Sequence, residues 1–280
     1  MIQRAEDILS KTCDSARLDA EVLLAHVLGK PRSHLSAWPE REISTTALAQ
    51  FQSLLTRRIA GEPIAYLTGL REFWSMELQV NRHTLIPRPE TELLVEFALQ
   101  HIPRDKAWRI VDLGTGSGAI ALALASERPR SRLIATDISS GALLAARQNA
   151  ERHGLNNIEF REGEWFRPLQ DERFDFIVSN PPYIRETDPH LSEGDLRYEP
   201  ISALASGPNG LDALQAIVAD AKRHLYPGGW LALEHGHDQA EAVTKLLRDQ
   251  NYSQVGQQQD YSGRGRIAFG QSAPPNAVNP

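Results

Sequence analysis

The chain has a single cysteine, Cys13. It can therefore form no internal disulfide, no cysteine-rich zinc site and no two-cysteine redox pair, a scarcity that fits a reducing cytoplasm. No run approaches the roughly 18 apolar residues of a membrane span. The opening stretch MIQRAEDILSKTCDSARLDAE carries acids where a secretory signal would hold an uninterrupted apolar core. These absences predict a cytoplasmic protein with no membrane partner. Basic excess is lacking too: a formal net charge of -6 and a pI near 5.9 give no global field to draw in a polyanion. A mainly electrostatic nucleic-acid binder is thereby disfavoured.

What is present, 280 residues of which 41% are hydrophobic, suffices for a substantial core and for two domains. Residues 1–71 read as a small all-α domain. Leu18, Val22, Ala25 and Leu28 recur at helical spacing before Gly29 and Pro31; Ser44 can cap a second helix whose stripe is Leu48, Phe51, Leu55 and Ile59, closed by Gly61 and Pro63. Residues 72–87 break the pattern and read as a β-hairpin linker turning at Asn81–His83. Pro89 is placed to open a helix over Glu90–Gln100.

Beyond Trp108, β runs alternate with helical stretches: RIVDL and AIALALA, RLIAT and GALLAARQNA, IEF, FDFIVS and LDALQAIVADAKRHL, WLALE and AVTKLLRD. The alternation predicts an α/β fold with a doubly wound parallel sheet over residues 88–270. Two late segments near Tyr252–Gln257 and Arg266–Phe269 are close enough to add an antiparallel hairpin. The tail, 271–280, is expected to be disordered.

VDLGTGSG ends a buried strand in a loop, Gly114, Thr115, Gly116, Ser117 and Gly118, whose glycines let the backbone approach a ligand. Alone this leaves nicotinamide cofactors open. Asp137, about 20 residues on, closes RLIATD where a carboxylate can accept from both ribose hydroxyls of an adenosine. Glu164 and Trp165 follow the third strand, where a ring can pack on adenine.

FDFIVSNPPY then delivers Asn180, Pro181, Pro182 and Tyr183 to the carboxyl edge of the sheet. Asn180 can accept one hydrogen bond from a substrate NH2 group, and the Pro181 carbonyl can accept the other. Tyr183 would pack over a planar target. Two acceptors and an aimed methyl donor suit a delocalised amide or amine nitrogen, a poor nucleophile that needs orientation more than a strong base. Other signals are read blandly. His235 and His237 lack a third metal ligand, Cys13 is inert, and Arg57 and Arg58 are expected on a solvated face.

The segments LIPRPETELLVE, VDLGTGSGAIALALA, ATDIS, EWF, VSNPPYI, EP.SAL and LEHG closely resemble the release-factor glutamine methyltransferase family (HemK/PrmC), in order through most of the chain. The resemblance implies an N-terminal helical bundle, a hairpin linker and a seven-stranded class I methyltransferase domain; the helical domain is expected to serve substrate recognition by contacting the folded target protein. It also implies transfer of a methyl group from S-adenosylmethionine, leaving S-adenosylhomocysteine and using no metal, to the glutamine of the Gly-Gly-Gln loop of class I release factors. Carried over by position, Gly114–Gly118, Asp137, Trp165 and Asn180 hold the cofactor, and Asn180–Tyr183 hold the target amide. Glu164 stands where relatives often have aspartate, and the roles within Arg88–Glu92 stay unassigned. Class I release factors are the expected partners of a monomer with no nucleic-acid substrate. The rivals are a ribosomal-protein glutamine methyltransferase, a nucleic-acid adenine methyltransferase and a non-catalytic cofactor-binding regulator.

Overall fold

The computed structural model describes residues 1–11 and 13–273, so residues 274–280 of the tail expected to be disordered lie outside the described residues. Gln271 instead ends the last strand of the sheet, and the Ser272 N–H donates to the Gly229 carbonyl at 2.8 Å. Two compact units emerge: Met1–Leu70 joined by Ser192–Tyr198, and the remainder of the described chain.

The first unit is helical: α1 (Ile2–Leu9), α2 (Ala16–Leu28), α3 (Arg32–Ala37), α4 (Thr45–Ile59) and α5 (Ile64–Thr68). Its core gathers Leu9, Ala20, Leu23, Leu24, Phe51 and Leu67. As expected, the Ser44 hydroxyl caps α4, accepting from the Ala47 N–H at 3.2 Å. The inward face of α2 differs from the sequence reading. Leu18 is exposed, and the buried stripe runs through Ala16, Asp19, Ala20, Leu23 and Leu24. An acid occupies the inner face because it has a partner there: Arg58 Nε donates to Asp19 Oδ2 at 2.8 Å.

Arg58 is accordingly not on a solvated face. Its side chain is 10% exposed and also bonds Asp195 Oδ1 at 3.0 Å and the Glu62 carbonyl at 3.1 Å. Arg57 is more open but is paired with the buried Glu62 at 2.7 Å. Asp195 lies in the late segment that joins this unit, where Arg197 Nη2 and the Tyr198 hydroxyl both donate to the Ala60 carbonyl, at 2.5 and 2.8 Å. Removing one partner of such a buried pair costs about 3–5 kcal/mol, because the remaining charge is stranded.

The second unit begins with a ribbon, β1 (Leu70–Phe73) and β2 (Met76–Gln79). Its turn is Trp74–Ser75, both left-handed at φ 51° and 57°, not Asn81–His83. Asn81–Thr84 does form a turn, Thr84 N–H to Asn81 O at 3.0 Å, but one beyond the ribbon. A Trp-Ser pair carries none of the usual glycine or asparagine signal. The Trp74 N–H donates to Glu92 Oε1 at 2.8 Å, and Gln79 exchanges two bonds with buried Asn149 at 2.7 and 3.0 Å.

A 3-10 turn at Pro89–Thr91 leads into α6 (Glu92–His101), and β3 (Arg109–Leu113), α7 (Ala119–Glu127), β4 (Arg132–Asp137), α8 (Ser140–Arg152), β5 (Ile158–Glu162) and β6 (Phe174–Ser179) follow. Then come α9 (Asp212–Ala221), β7 (Leu225–Glu234), α10 (Ala240–Asp249), β8 (Ser253–Gln259) and β9 (Gly265–Gln271). The sheet has seven strands in the order β5-β4-β3-β6-β7-β9-β8; β9 runs antiparallel to both of its neighbours. Alternate residues face opposite layers. Ile110, Phe176 and Val178 meet Leu94, Phe97 and Leu122 on one side, and Val111, Leu113 and Ile177 meet Leu214, Ile217 and Leu247 on the other. Burial on both faces is why the central strands read as nearly unbroken apolar runs. The order changes direction at β3, and β4 and β6 flank it, so their carboxyl ends open a crevice at the topological switch point.

Candidate active site

From Leu113 the chain turns through the glycine loop into α7. The N–H groups of Gly114 and Thr115 both donate to the Thr136 carbonyl, at 2.8 and 2.9 Å, which ties the loop to β4. Gly114 has φ 72°, and a Cβ there would stand 3.3 Å from a ring carbon of Trp165. Gly118 has φ 87°, and a Cβ there would fall 2.3 Å from Leu122 Cδ1 and 3.2 Å from Ala146 Cβ. The glycines therefore serve different ends. Gly114 clears the cleft, whereas Gly118 lets α7 pack on α8 and does not line the cleft. Beneath the loop, Thr115 Oγ1 donates to Asp112 Oδ2 at 2.6 Å, and complete burial pushes the Asp112 carboxyl up to about 7.

Asp137 ends β4 and accepts from two backbone N–H groups, Gly116 at 2.8 Å and Ser139 at 2.9 Å. Burial raises its pKa, and these bonds oppose the rise. With roughly four lone-pair directions, the carboxylate keeps acceptor capacity for a ligand. Capping of α8 falls to Ser139, whose hydroxyl accepts from the Ala142 N–H at 3.2 Å, so Asp137 is not needed as a cap. Trp165 holds a left-handed φ of 46°, an unusual conformation for a bulky residue, and its carbonyl accepts from Thr136 Oγ1 at 3.2 Å. Glu164 sits beside it on the rim, paired with Arg167 at 3.2 Å.

These groups line one cleft of about 490 Å³, together with Asn180, Pro182, Arg88 and Thr91. Of the sequence-identified residues, Gly114–Ser117, Asp137, Trp165, Asn180 and Pro182 line the cleft; Gly118, Pro181 and Tyr183 do not. Pro181 is buried behind the wall. The Tyr183 ring packs on the Leu113/Ile177 core layer, and its hydroxyl donates to Glu234 Oε1 at 3.2 Å.

Three supporting residues carried no assigned role in the sequence reading. Asn180 Nδ2 donates to Thr91 Oγ1 at 3.2 Å, so the PRPET segment reaches the Asn180–Tyr183 tetrapeptide. Glu199, wholly buried, accepts from the Ile86 N–H at 2.9 Å and pairs with Arg88. Glu234 is fully buried at the end of β7, and desolvation pushes its pKa up to about 7. All three lie in the quoted segments LIPRPETE, EP.SAL and LEHG, and only the fold shows what each touches. His235 is buried against the Gly236 carbonyl at 2.8 Å whereas His237 is exposed, so the two do not share a site. Among the described residues no group of three or more His, Cys, Asp or Glu could hold a metal ion.

Residues 1–69 match the PrmC N-terminal domain, and residues 90–193 match the methyltransferase small domain. A release factor glutamine methyltransferase of Aliivibrio fischeri is 51% identical over 259 residues, 92% of this chain and 91% of that protein. The enzyme of the same name from Vibrio cholerae is 51% identical over 271 residues, 95% of this chain and 93% of its own. Among solved structures, the hMettl16 catalytic domain bound to an RNA hairpin superposes with a TM-score of 0.58 at 20% identity, over 81% of this chain and 84% of that one, which shows a shared fold. Full-length identity of this order, over both the helical unit and the site-bearing sheet, decides the question: the chain belongs to the release factor glutamine methyltransferase family.

Proposed function

We propose that the protein transfers the methyl group of S-adenosylmethionine to the side-chain amide nitrogen of the Gly-Gly-Gln glutamine in class I peptide chain release factors. The observation that carries this reading is the orientation of Asn180. Its NH2 is spent on Thr91, which leaves Oδ1 as an acceptor in the same cleft that Asp137 and Gly114 line. An acceptor in that place selects a substrate nitrogen that bears protons.

The residues present fit the cofactor. Asp137 keeps acceptor capacity for ribose hydroxyls, Gly114 and Gly116 bring bare backbone to the cleft, and Trp165 offers a ring beside Gly114. Bound S-adenosylmethionine supplies an electrophilic methyl on a sulfonium and departs as S-adenosylhomocysteine. The chain's own work is positional. Asn180 Oδ1 accepts one amide proton and holds the nitrogen lone pair toward the methyl; the Pro181 carbonyl, buried and outside the cleft lining, becomes the second acceptor only if the Asn180–Tyr183 segment shifts when substrate binds. As positive charge grows on that nitrogen Asn180 Oδ1 stabilises it, and a proton is released once the new bond has formed. Tyr183 supports the wall from behind; packing its ring over the target would require release of its hydroxyl from Glu234.

Among the described residues no helix is long and apolar enough to cross a membrane. The reading places a monomer in the cytoplasm, with the helical unit contacting the folded factor away from the acceptor loop. Replacing the exposed Leu18 and Trp38 by glutamate should then raise KM for the factor while sparing cofactor affinity, and an unchanged KM would remove that role. The main test is radiolabelled methyl transfer to a purified release factor, beside a variant lacking the acceptor glutamine, a ribosomal-protein mixture and unmethylated DNA. Label on the intact factor alone is expected; label on DNA or on a ribosomal protein instead would overturn the substrate assignment.

A further inference from the structure

The amide of Asn180 has two faces of nearly equal shape and opposite chemistry. Turned one way it presents an acceptor to the cleft; turned the other way it presents NH2, which would meet the protons of a substrate amide. Its position on the chain does not choose between them, and neither does Thr91 alone, since a hydroxyl can donate or accept. Asn180 Nδ2 nevertheless donates to Thr91 Oγ1 at 3.2 Å. What breaks the tie lies one residue further back. Glu234 is 2% exposed, its Oε1 accepts from the Tyr183 hydroxyl at 3.2 Å, and its Oε2 is buried with no fully formed hydrogen bond. The Thr91 hydroxyl faces this carboxylate closely enough to favour its charged form.

We infer that Glu234 sets the polarity of a relay, Glu234 to Thr91 to Asn180, that fixes the catalytic amide with its oxygen toward the substrate. An ionised carboxylate can only accept. The single Thr91 proton is therefore drawn toward Glu234, and the Thr91 oxygen is left as an acceptor for Asn180. The asparagine must then give Thr91 its NH2 and give the cleft its Oδ1. Tyr183 satisfies the other carboxylate oxygen and so keeps Glu234 from turning away. Thr91 and Glu234 are positioning residues that act through Asn180: Glu234 lies outside the cleft lining, and Thr91, although it lines the cleft, spends its hydroxyl on Asn180 and Glu234.

The inference rests on the proposed glutamine methylation, and the assay separates the two. If the wild-type chain labels no release factor, the function reading fails before any variant is compared. With wild-type turnover established, Thr91→Val removes the hydroxyl at nearly constant volume. It is expected to lower kcat about tenfold or more, with cofactor affinity, measured by calorimetry, changed less than about twofold. Thr91→Ser, which restores the hydroxyl, should recover most of the loss. The decisive arm is a double-mutant cycle with Asn180→Ala. A relay that ends on Asn180 has nothing left to orient once that amide is gone, so Thr91→Val should then cost less than about twofold. A wild-type kcat in Thr91→Val, an equal loss in both backgrounds, or a serine variant no better than the valine one would each overturn the relay.

Discussion

The two halves of the cleft are held by different means. On the cofactor side the backbone does most of the work: Gly114, Gly116 and Trp165 take left-handed conformations, the N–H groups of Gly114 and Thr115 are anchored on the Thr136 carbonyl, and those of Gly116 and Ser139 on the Asp137 carboxylate. On the target side, side chains from distant elements hold one another. Thr91 precedes α6, Asn180 follows β6, Glu199 follows the late segment and Glu234 ends β7. A wall made of backbone should lose ligand affinity when altered, and a wall made of a side-chain relay should lose rate.

The sharpest test of that contrast is Asn180→Ala, which on the proposed mechanism removes an acceptor from the charge-developing nitrogen. By analogy with removal of one transition-state hydrogen-bond partner, kcat should fall about 100-fold or more while calorimetric cofactor affinity stays within about threefold. Comparable losses in both would merge the two halves. Asp137→Ala should show the mirror pattern. On the proposed reading two charge-assisted bonds to ribose are lost, so the cofactor dissociation constant should rise about 10- to 100-fold, with kcat at saturating cofactor much less affected.

Gly114→Ala should come next in size. A left-handed conformation costs an L-residue about 1–2 kcal/mol, and the added methyl also presses on the Trp165 ring. Cofactor affinity should drop about tenfold and Tm should fall measurably. An alanine variant with wild-type affinity would mean that the strain is absorbed elsewhere and that the loop is not what shapes this side.

The same contrast explains what the sequence made legible. A backbone that must pass close to a ligand calls for glycine, and a strand that ends at the cleft carries a long apolar run, so Gly114–Ser117, Asp137, Asn180 and Pro182, which line the cleft, could be placed before any coordinates, whereas Gly118, Pro181 and Tyr183 of the same motifs do not line it. The supporting shell leaves no such print. Thr91 reads as an ordinary residue at a helix start, Glu234 as the end of a strand and Asp19 as an outward acid on α2; each acquires meaning only from a partner far along the chain, as Asp19 does from Arg58. Trp74–Ser75 forms a tight turn with no turn residue because Glu92 takes the Trp74 N–H. The association of Ser192–Tyr198 with the helical unit rests on Asp195, Arg197 and Tyr198 meeting residues more than a hundred positions earlier, which no local pattern announces.

The mildest perturbation of the target side is a proton. Glu234 is raised from 4.5 to about 7 chiefly by desolvation; Thr91, Tyr183 and Arg266 pull it down, and Glu90 pushes it up. Below that value the carboxyl becomes a donor, the Thr91 proton is no longer fixed, and Asn180 is free to turn. Acidification from pH 8 to 6 should therefore lower kcat by up to about tenfold, the change in ionised fraction across a pKa near 7, and Glu234→Gln should flatten that limb. Stability should move the opposite way. A carboxyl whose folded pKa lies above its unfolded one favours the folded state most at low pH, and that contribution is lost as pH rises from about 4.5 through about 7. Over that window the native state gives up on the order of 1–3 kcal/mol for such a group, and Asp112, also at about 7, adds in the same direction. Thermal melts of the ligand-free protein should accordingly rise between pH 8 and 6 while turnover falls, with a smaller rise in Glu234→Gln. Opposite signs in the two measurements would show that acid inactivation arises in the relay rather than from unfolding; a parallel fall in both would leave Glu234 with no part in setting the rate.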